Sequence, residues 1–400
     1  MIPFSPPRVD EKTLEAVNEV LRSGWITTGP KTKLFEKKLA AYLQSERVFC
    51  CNSNTNGMLL MLRWLGVGPG DEVIVPAYTY CATANVVIHT GATPVMVDVG
   101  EDFCMSAESL SKAITHRTKA VLPVDMGGLP VDYASIKKVI HGQAYQFVPE
   151  NDTQKKLGRI AVFADSAHSI GARIEGAPIG TQADAMVFSF HAVKNLTTAE
   201  GGAISLNLPE PFDVEELYKW LAVMSLHGQS KDALAKTQKG SWEYDVEEPG
   251  WKCNMTDLQA AIGLVELDRY DADTVPKRKY IIDRYMSAFS EQPWAILPTV
   301  RDENRESSYH LFLLRIDGIT RAQRDDLVSR ITSREVSVNV HYKPLPLLTA
   351  YRKRDYSLSD YPVTESLWVN EVSLPVYYDL TDDQIDKVVE AVVKSVEEIL

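Results

Sequence analysis

Positive charge is in short supply: 42 Lys and Arg stand against 54 Asp and Glu, a formal net charge of −12. Proteins that hold nucleic acid or an anionic membrane surface do so with a basic face that displaces counterions. The balance excludes such a partner as a general property and leaves only local basic pockets open. Cysteine is sparse too. Its five copies include the adjacent pair Cys50 and Cys51 but no C-x-x-C spacing, which excludes a disulfide framework and fits reduced thiols in a core. Long apolar runs are missing, and the opening MIPFSPPRVDEK has no basic segment leading into an apolar one. Neither a bilayer span nor a secretory leader is expected, and the cytoplasm is the expected compartment. No G-x-x-x-x-G-K-[ST] string occurs. GVGPGDEV, residues 66 to 73, has glycines near dinucleotide spacing, but a helix precedes it, a strand follows and Pro69 lies inside, so it reads as a connecting turn.

What is present is an ordinary globular composition: 400 residues, 45% apolar and 24% charged. That length has room for one large domain and a smaller second one. LFEKKLAAYL has helical spacing, RVFCC is a short strand, and MLLMLRWLG is a helix closed by glycine. DEVIVP, TPVMVDV, KAVLPV, RIAVFA and AMVFSF follow as short apolar runs separated by segments that can hold helices. Such interleaving predicts an α/β fold with a mainly parallel sheet covered on both faces. Residues 141–159, polar and aperiodic, read as an insertion loop. The stretch from Thr256 to Phe289 reads as two helices, or one kinked at Pro276, leading into a smaller α/β unit that includes HLFLLRI, SVNVHY and the final amphipathic helix.

In parallel α/β sheets ligands bind beyond the carboxyl ends of the strands, so the residues just after each strand carry the information. RVFCC is followed by NSNTNG, DEVIVP by AYTYCAT, RIAVFA by Asp165, Ser166, Ala167 and His168, and AMVFSF by His191 and Lys194. A lysine desolvated at a strand end tends to give up its proton and become a nucleophile. Asp165 at such a place needs a cationic partner or hydrogen-bond donors, or else caps the turn that leads to His168. Small polar residues opening a helix expose N–H groups that suit a phosphate, which makes Asn54, Thr55 and Asn56 candidate contacts; plain N-capping by Ser53 or Thr55 is the alternative. Tyr80 could stack on a flat ligand or simply pack. An imine-forming lysine, a carboxylate for a ring nitrogen, an aromatic lid and a phosphate cradle are together what a protein contributes to pyridoxal 5′-phosphate chemistry.

SGWITTGP (23–30), PAYTYCAT (76–83), DSAHSIGA (165–172), FSFHAVKN (188–195), AEGGA (199–203) and WKCNMTDLQAAIG (251–263) resemble the DegT/DnrJ/EryC1/StrS family of sugar aminotransferases, of PLP-dependent fold type I. The resemblance runs from the amino-terminal arm to VNVHYKPLP (338–346). It implies a large domain with a mainly parallel mixed sheet flanked by helices (31–265), preceded by an arm (1–30) and followed by a smaller α/β domain (266–400). Lys194 then matches the lysine that carries the cofactor, Asp165 the partner of the pyridine nitrogen and Tyr80 the stacking ring. Thr55, Asn56 and Ser189 match phosphate contacts, and Asn254 an asparagine reaching the phosphate from the neighbouring subunit of a homodimer. His168 falls near the cofactor's hydroxyl side, while Trp25, Thr28, His341 and Tyr342 fall at sugar or nucleotide positions. The implied partners are an amino donor, glutamate, and a nucleotide-linked keto-hexose of the UDP- or dTDP-4-keto-6-deoxy kind. No metal is expected. Three alternatives accompany this reading: a sugar dehydratase using the same cofactor, against which Lys194 argues because the dehydratases carry histidine there; a non-catalytic sensor; and a hydrolase with Asp165, His168 and His191 as metal ligands.

Overall fold

The computed structural model describes residues 1–230 and 244–400. Seven short strands form its central sheet: β1 (Arg47–Cys51), β2 (Glu72–Pro76), β3 (Thr93–Val97), β4 (Thr118–Val121), β5 (Ala161–Asp165), β6 (Ala185–Ser189) and β7 (Gly202–Leu206). Their spatial order is β1-β7-β6-β5-β4-β2-β3. Every pairing from β3 through to β6 is parallel. β7 pairs antiparallel with both of its neighbours, β6 and β1, so it alone runs against the rest.

Successive residues of a strand point to opposite faces, and here both faces are covered. Val73, Val75, Phe163 and Val187 enter one apolar cluster, while their neighbours Ile74, Val162, Ala164, Met186 and Phe188 enter another. Burial on both sides is why these strands read as continuous apolar runs rather than alternating ones. β7 escapes that pattern, because a glycine pair leads into it and Ser205 interrupts it; yet its position is what brings Gly201 and Gly202 to the edge where the parallel strands end.

A second core lies in the C-terminal part. A three-stranded antiparallel sheet, β8 (Ala295–Ile296), β9 (Phe312–Ile316) and β10 (Glu371–Leu374), packs with helices Val275–Phe289, Arg321–Ser333 and Asp382–Glu397 around Phe289, Phe312, Leu314 and Val392. Two helices, Asp257–Asp268 and Val275–Phe289, lead into it with Pro276 in the first turn of the second. The amino terminus joins the same core: Ile2 is buried and bridges to Val336.

One expectation is corrected. Residues 141–159 are not simply a loop, for they contain a helix at Asp152–Leu157 capped by Asn151. The Asn151 and Gln154 amides both donate to the Leu65 carbonyl, at 3.0 and 3.1 Å, and the fully buried Lys119 donates to Val148 O at 2.6 Å. Polar contacts carry that docking, so no apolar period betrays it. SVNVHY forms no ladder. It touches β10 through one bridge, Asn339 to Ser373, and the segment then turns so that His341 and Tyr342 reach the edge of the central sheet.

The helix Pro30–Leu43 starts at Gly29, which has no side chain to cap it. The buried Asp257 carboxylate does so from outside, accepting from Gly29 N (2.8 Å), Lys31 N (3.0 Å), Thr32 N (2.9 Å) and Thr32 Oγ1 (2.7 Å). A carboxylate on orphan N–H groups at a helix start is a strong cap. Asp257→Ala is expected to lower stability by about 2–3 kcal/mol, read as a shift of the urea midpoint at unchanged slope.

Candidate active site

The ends of β1, β5 and β6 and the beginning of β7 meet at one edge of the sheet, where Tyr80, His341 and Tyr342 close over a cleft of about 340 Å³. Ser53, Asn54, Thr55, Asp165, His168, Ser189, Lys194 and Gly201 line it. Nine of the residues singled out from the sequence, among them Lys194 and Asp165, thus line one cleft although they come from four strand ends and a loop.

Asp165 is buried at the end of β5 and is held by donors rather than by a cation. Its Oδ1 accepts from Asn54 Nδ2 at 3.1 Å and from Ala167 N at 3.3 Å; its Oδ2 accepts from Thr83 Oγ1 at 2.7 Å. Burial raises its pKa above the usual carboxylate range, and Thr83, Ala167, the Lys194 charge and Asn54 pull it back. Lys194 sits in the turn after β6. Asn195 fixes that turn, donating to Ser308 O at 2.8 Å and meeting His310 Nδ1 at 2.8 Å. The lysine amine takes no hydrogen-bond or ion-pair partner among the described residues; burial lowers its pKa to about 8 against the opposing pull of Asp165. Part of the side chain remains open to the cleft, so the amine is both deprotonable and reachable.

The opposite end of the cleft is the N-terminus of the helix Asn54–Trp64. Ser53 caps it, accepting from Asn56 N at 3.2 Å. Gly202 presses against this start so closely that a Cβ there would lie 2.5 Å from Asn54 N and from Ser53 C. The remaining N–H groups, with the hydroxyls of Thr55 and Ser189, form a cradle for an anion. The structure reassigns two of the expected phosphate contacts. The Asn54 amide is spent on Asp165 and on Val187 O, 2.6 Å away, and the Asn56 amide turns back to Asn52 Oδ1 at 2.8 Å, outside the cleft lining.

His168 is neutral, its pKa driven well below the usual value first by burial and then by the nearby Lys194 charge. Gly127 N–H donates to its Nδ1 at 3.2 Å, which puts the ring proton on Nε2. Nε2–H donates to Tyr342 Oη at 3.1 Å, leaving the tyrosine hydrogen free to point into the cleft. Gly127 reaches the imidazole from a backbone with φ of +65°, where a side chain would be strained. Tyr80 stands at the mouth, 57% exposed, its ring 5.5 Å from that of Tyr342. The metal-ligand alternative gathers nothing here: no three of His, Cys, Asp and Glu converge among the described residues, and His191 faces Glu200 at 3.6 Å.

Trp25, Thr28 and Asn254 form a separate group outside this cleft. Trp25 Nε1 donates to Thr28 O at 3.1 Å, Asn254 Nδ2 to Thr28 Oγ1 at 2.6 Å, and Thr28 Oγ1 to Met255 O at 2.5 Å. Sequence reasoning passed over Thr83, though it lies in PAYTYCAT and supplies the shortest contact to Asp165. It also passed over Gly127 and His310, which no local pattern marks.

A buried carboxylate and an unpartnered, weakly basic lysine facing each other beyond the ends of parallel strands, with an anion cradle alongside, define a fold type I enzyme of pyridoxal 5′-phosphate. The chain belongs to the DegT/DnrJ/EryC1/StrS aminotransferase family, whose model matches residues 7–393. It is 38% identical over 398 residues to the spore coat polysaccharide biosynthesis protein SpsC of Bacillus subtilis, covering 98% of this chain and 96% of that one. Among solved structures it is similar to Spr1654 of Streptococcus pneumoniae, assigned as a sugar aminotransferase. The PMP-form is 45% identical with a TM-score of 0.96 over 100% of both chains; the PLP-form is 44% identical with a TM-score of 0.95 over 100% of this chain and 99% of that one. Helicobacter pylori PseC, an aminotransferase involved in the biosynthesis of pseudoaminic acid, shares 27% identity and a TM-score of 0.86 over 99% of each chain. Pyridoxal 5′-phosphate is therefore this chain's cofactor, and its residues fit it: Lys194 has no competing partner, Asp165 is presented to the cleft, and Gly202 leaves the cradle open.

Two outcomes are expected. An amine attacks an aldehyde only in its neutral form, so if Lys194, with a pKa of about 8, is the capturing group, the second-order rate at which apoenzyme takes up pyridoxal 5′-phosphate, followed by stopped-flow absorbance, is expected to rise roughly tenfold per pH unit below that value and level above it. A midpoint at the ordinary lysine value contradicts this account of the site. Gly202→Val pushes the cradle apart and weakens cofactor affinity about tenfold or more, measured by equilibrium titration, with the circular dichroism of the fold retained.

Proposed function

We propose that the chain transfers an amino group from glutamate to a keto-hexose carried on a nucleotide, a UDP- or dTDP-4-keto-6-deoxy sugar, for surface-polysaccharide or related amino-sugar synthesis in the cytoplasm. The observation that carries the reading is the Lys194 amine, unpartnered opposite Asp165. Relatives named for spore coat polysaccharide and pseudoaminic acid biosynthesis support the sugar as acceptor.

Bound in this cleft, pyridoxal 5′-phosphate supplies an aldehyde that takes up an amine and a ring that accepts the electrons left behind when the neighbouring C–H bond breaks. The chain's own share is positional and electrostatic. Thr55, Ser189 and the start of the helix Asn54–Trp64 bind the phosphate. Asp165, supported by Asn54, Thr83 and Ala167, holds a proton on the ring nitrogen through charge. Lys194 Nζ, with a pKa of about 8, accepts and returns a proton near neutrality at little cost. Tyr342 directs its hydroxyl hydrogen into the space where a substrate oxygen would lie.

Our reading includes a homodimer with shared sites. Lys194 is the only Lys or Arg among the described residues that line the cleft, which leaves a bound phosphate short of positive charge. The Trp25, Thr28 and Asn254 group lies outside it and is open to a second copy's cleft. Nearby apolar side chains Leu14, Leu21, Ile26 and Leu34 are 43–53% exposed, as a face covered by a partner would be.

The test loads holoenzyme with glutamate, removes the oxo acid, and screens UDP- and dTDP-linked keto-hexoses for return of the original cofactor spectrum. One of these sugars is expected to restore it in a single turnover. Lys194→Ala is expected to abolish the covalent cofactor band and slow transfer by about 10³-fold or more, with the fold intact; undiminished transfer refutes the assignment. Light scattering is expected to give twice the chain mass.

A further inference from the structure

Glu371 opens β10 as a fully buried carboxyl group with no part in the chemistry above. It is linked to the cleft by a short chain of hydrogen bonds. Its Oε1 meets Ser373 Oγ at 2.5 Å, and Ser373 Oγ meets His341 Nδ1 at 2.8 Å. Its Oε2 accepts from His341 N at 3.0 Å, which fixes the carboxyl group's orientation. His341 lines the cleft on one side and stacks on Phe4 on the other, with ring centres 5.3 Å apart.

We propose that Glu371 and Ser373 set which ring nitrogen of His341 carries its proton, and so decide whether the cleft wall offers a bound molecule an acceptor or a donor. With Glu371 ionised, the Ser373 hydroxyl donates to Oε1 and its oxygen accepts from Nδ1–H, leaving a lone pair on Nε2. With Glu371 protonated, Oε1–H donates to Ser373 Oγ, the serine hydroxyl donates to Nδ1, and the ring proton resides on Nε2. The first state becomes the second when one proton enters at Nε2, one passes from Nδ1 to Oγ and one from Oγ to Oε1. The imidazole is neutral at both ends of this exchange, and a proton from the cleft is stored on the buried acid. Glu371 is therefore a positioning residue that acts through Ser373.

The surroundings keep this equilibrium within reach of neutrality. Burial pushes the Glu371 pKa up to about 8, opposed by Ser373, the His341 N–H and the Arg324 charge. Arg324, from the helix Arg321–Ser333, donates to the Glu371 carbonyl at 3.2 Å and to Trp368 O at 2.8 Å. Tyr78 and Tyr342 face the carboxyl group from the central-sheet side. Burial, then the Lys194 charge, lowers the His341 pKa to about 3, so the ring stays neutral while Glu371 titrates. Asn339 Nδ2 lies 3.5 Å from Nε2, and its amide can turn to meet either form.

The test is nitrogen NMR of ¹⁵N-histidine-labelled holoenzyme, with His341 assigned through a His341→Asn variant. In the unsubstituted protein the Nδ1 and Nε2 resonances are expected to exchange protonated and unprotonated positions with a midpoint near pH 8, Nε2 carrying the proton below it. Glu371→Gln, whose amide accepts from His341 N and donates to Ser373, is expected to lock the Nε2–H form at every pH. Ser373→Ala is expected to abolish the exchange. A His341 tautomer in the unsubstituted protein that does not change across that pH range, or one that still inverts in Ser373→Ala, overturns the proposal. Use of this wall by the sugar rests on the aminotransferase reading; the tautomer does not, so a failed keto-sugar screen and a failed titration are separate results.

Discussion

The site depends on how the Asp165 carboxylate is satisfied. A buried carboxylate left without donors would either take up a proton or seize the nearest cation, and the nearest cation is Lys194. A closed ion pair would quench both groups. Asn54, Thr83 and Ala167 meet the carboxylate instead, so its charged form is stabilised against burial without holding the lysine, and the lysine stays uncommitted in surroundings that weaken its basicity. The cavity wall, the cradle and the turn that carries Lys194 maintain this separation of two opposite charges that attract but do not meet.

Much of this was legible in the sequence because strand ends are legible. A short apolar run followed by a polar residue fixes both the strand and the edge of the sheet, and that logic singles out Asp165 and Lys194. The resemblance of motifs to one aminotransferase family then supplied the roles. What could not be read is of two kinds. Contacts made by small polar groups over long sequence separations, such as Thr83 to Asp165 or Gly127 to His168, leave no periodic trace. Structure held by side-chain amides, such as the docking of residues 151–157 on Leu65, has the composition of a loop. Asn54 was read as a phosphate ligand because a helix start invites that reading; the side chain turned the other way because Asp165 needed a donor more.

The C-terminal part also braces the turn that carries Lys194. Arg278, a buried residue, donates to the carbonyls of Tyr309 and His310 at 3.0 and 2.8 Å. His310 in turn meets Asn195, the residue next to Lys194. The second core and the lysine turn are thereby joined through a histidine, and the tilted contact of the His310 ring with that of His168, 4.3 Å between centres, extends the link to the wall that holds Tyr342. Two neutral imidazoles in contact can pack where a charged one could not.

The reversed direction of β7 has a mechanical meaning. Its first residue, Gly202, is paired with Ser189, the last residue of β6, so the peptide that bears Lys194 is a closed hairpin end with both feet clamped in the same ladder. A side chain rooted on such an end can swing about its own bonds but cannot drift with the backbone. On the proposed aminotransferase reading, the amine is thereby a tethered reagent, its reach limited by four methylenes and its local concentration fixed by the sheet rather than by diffusion.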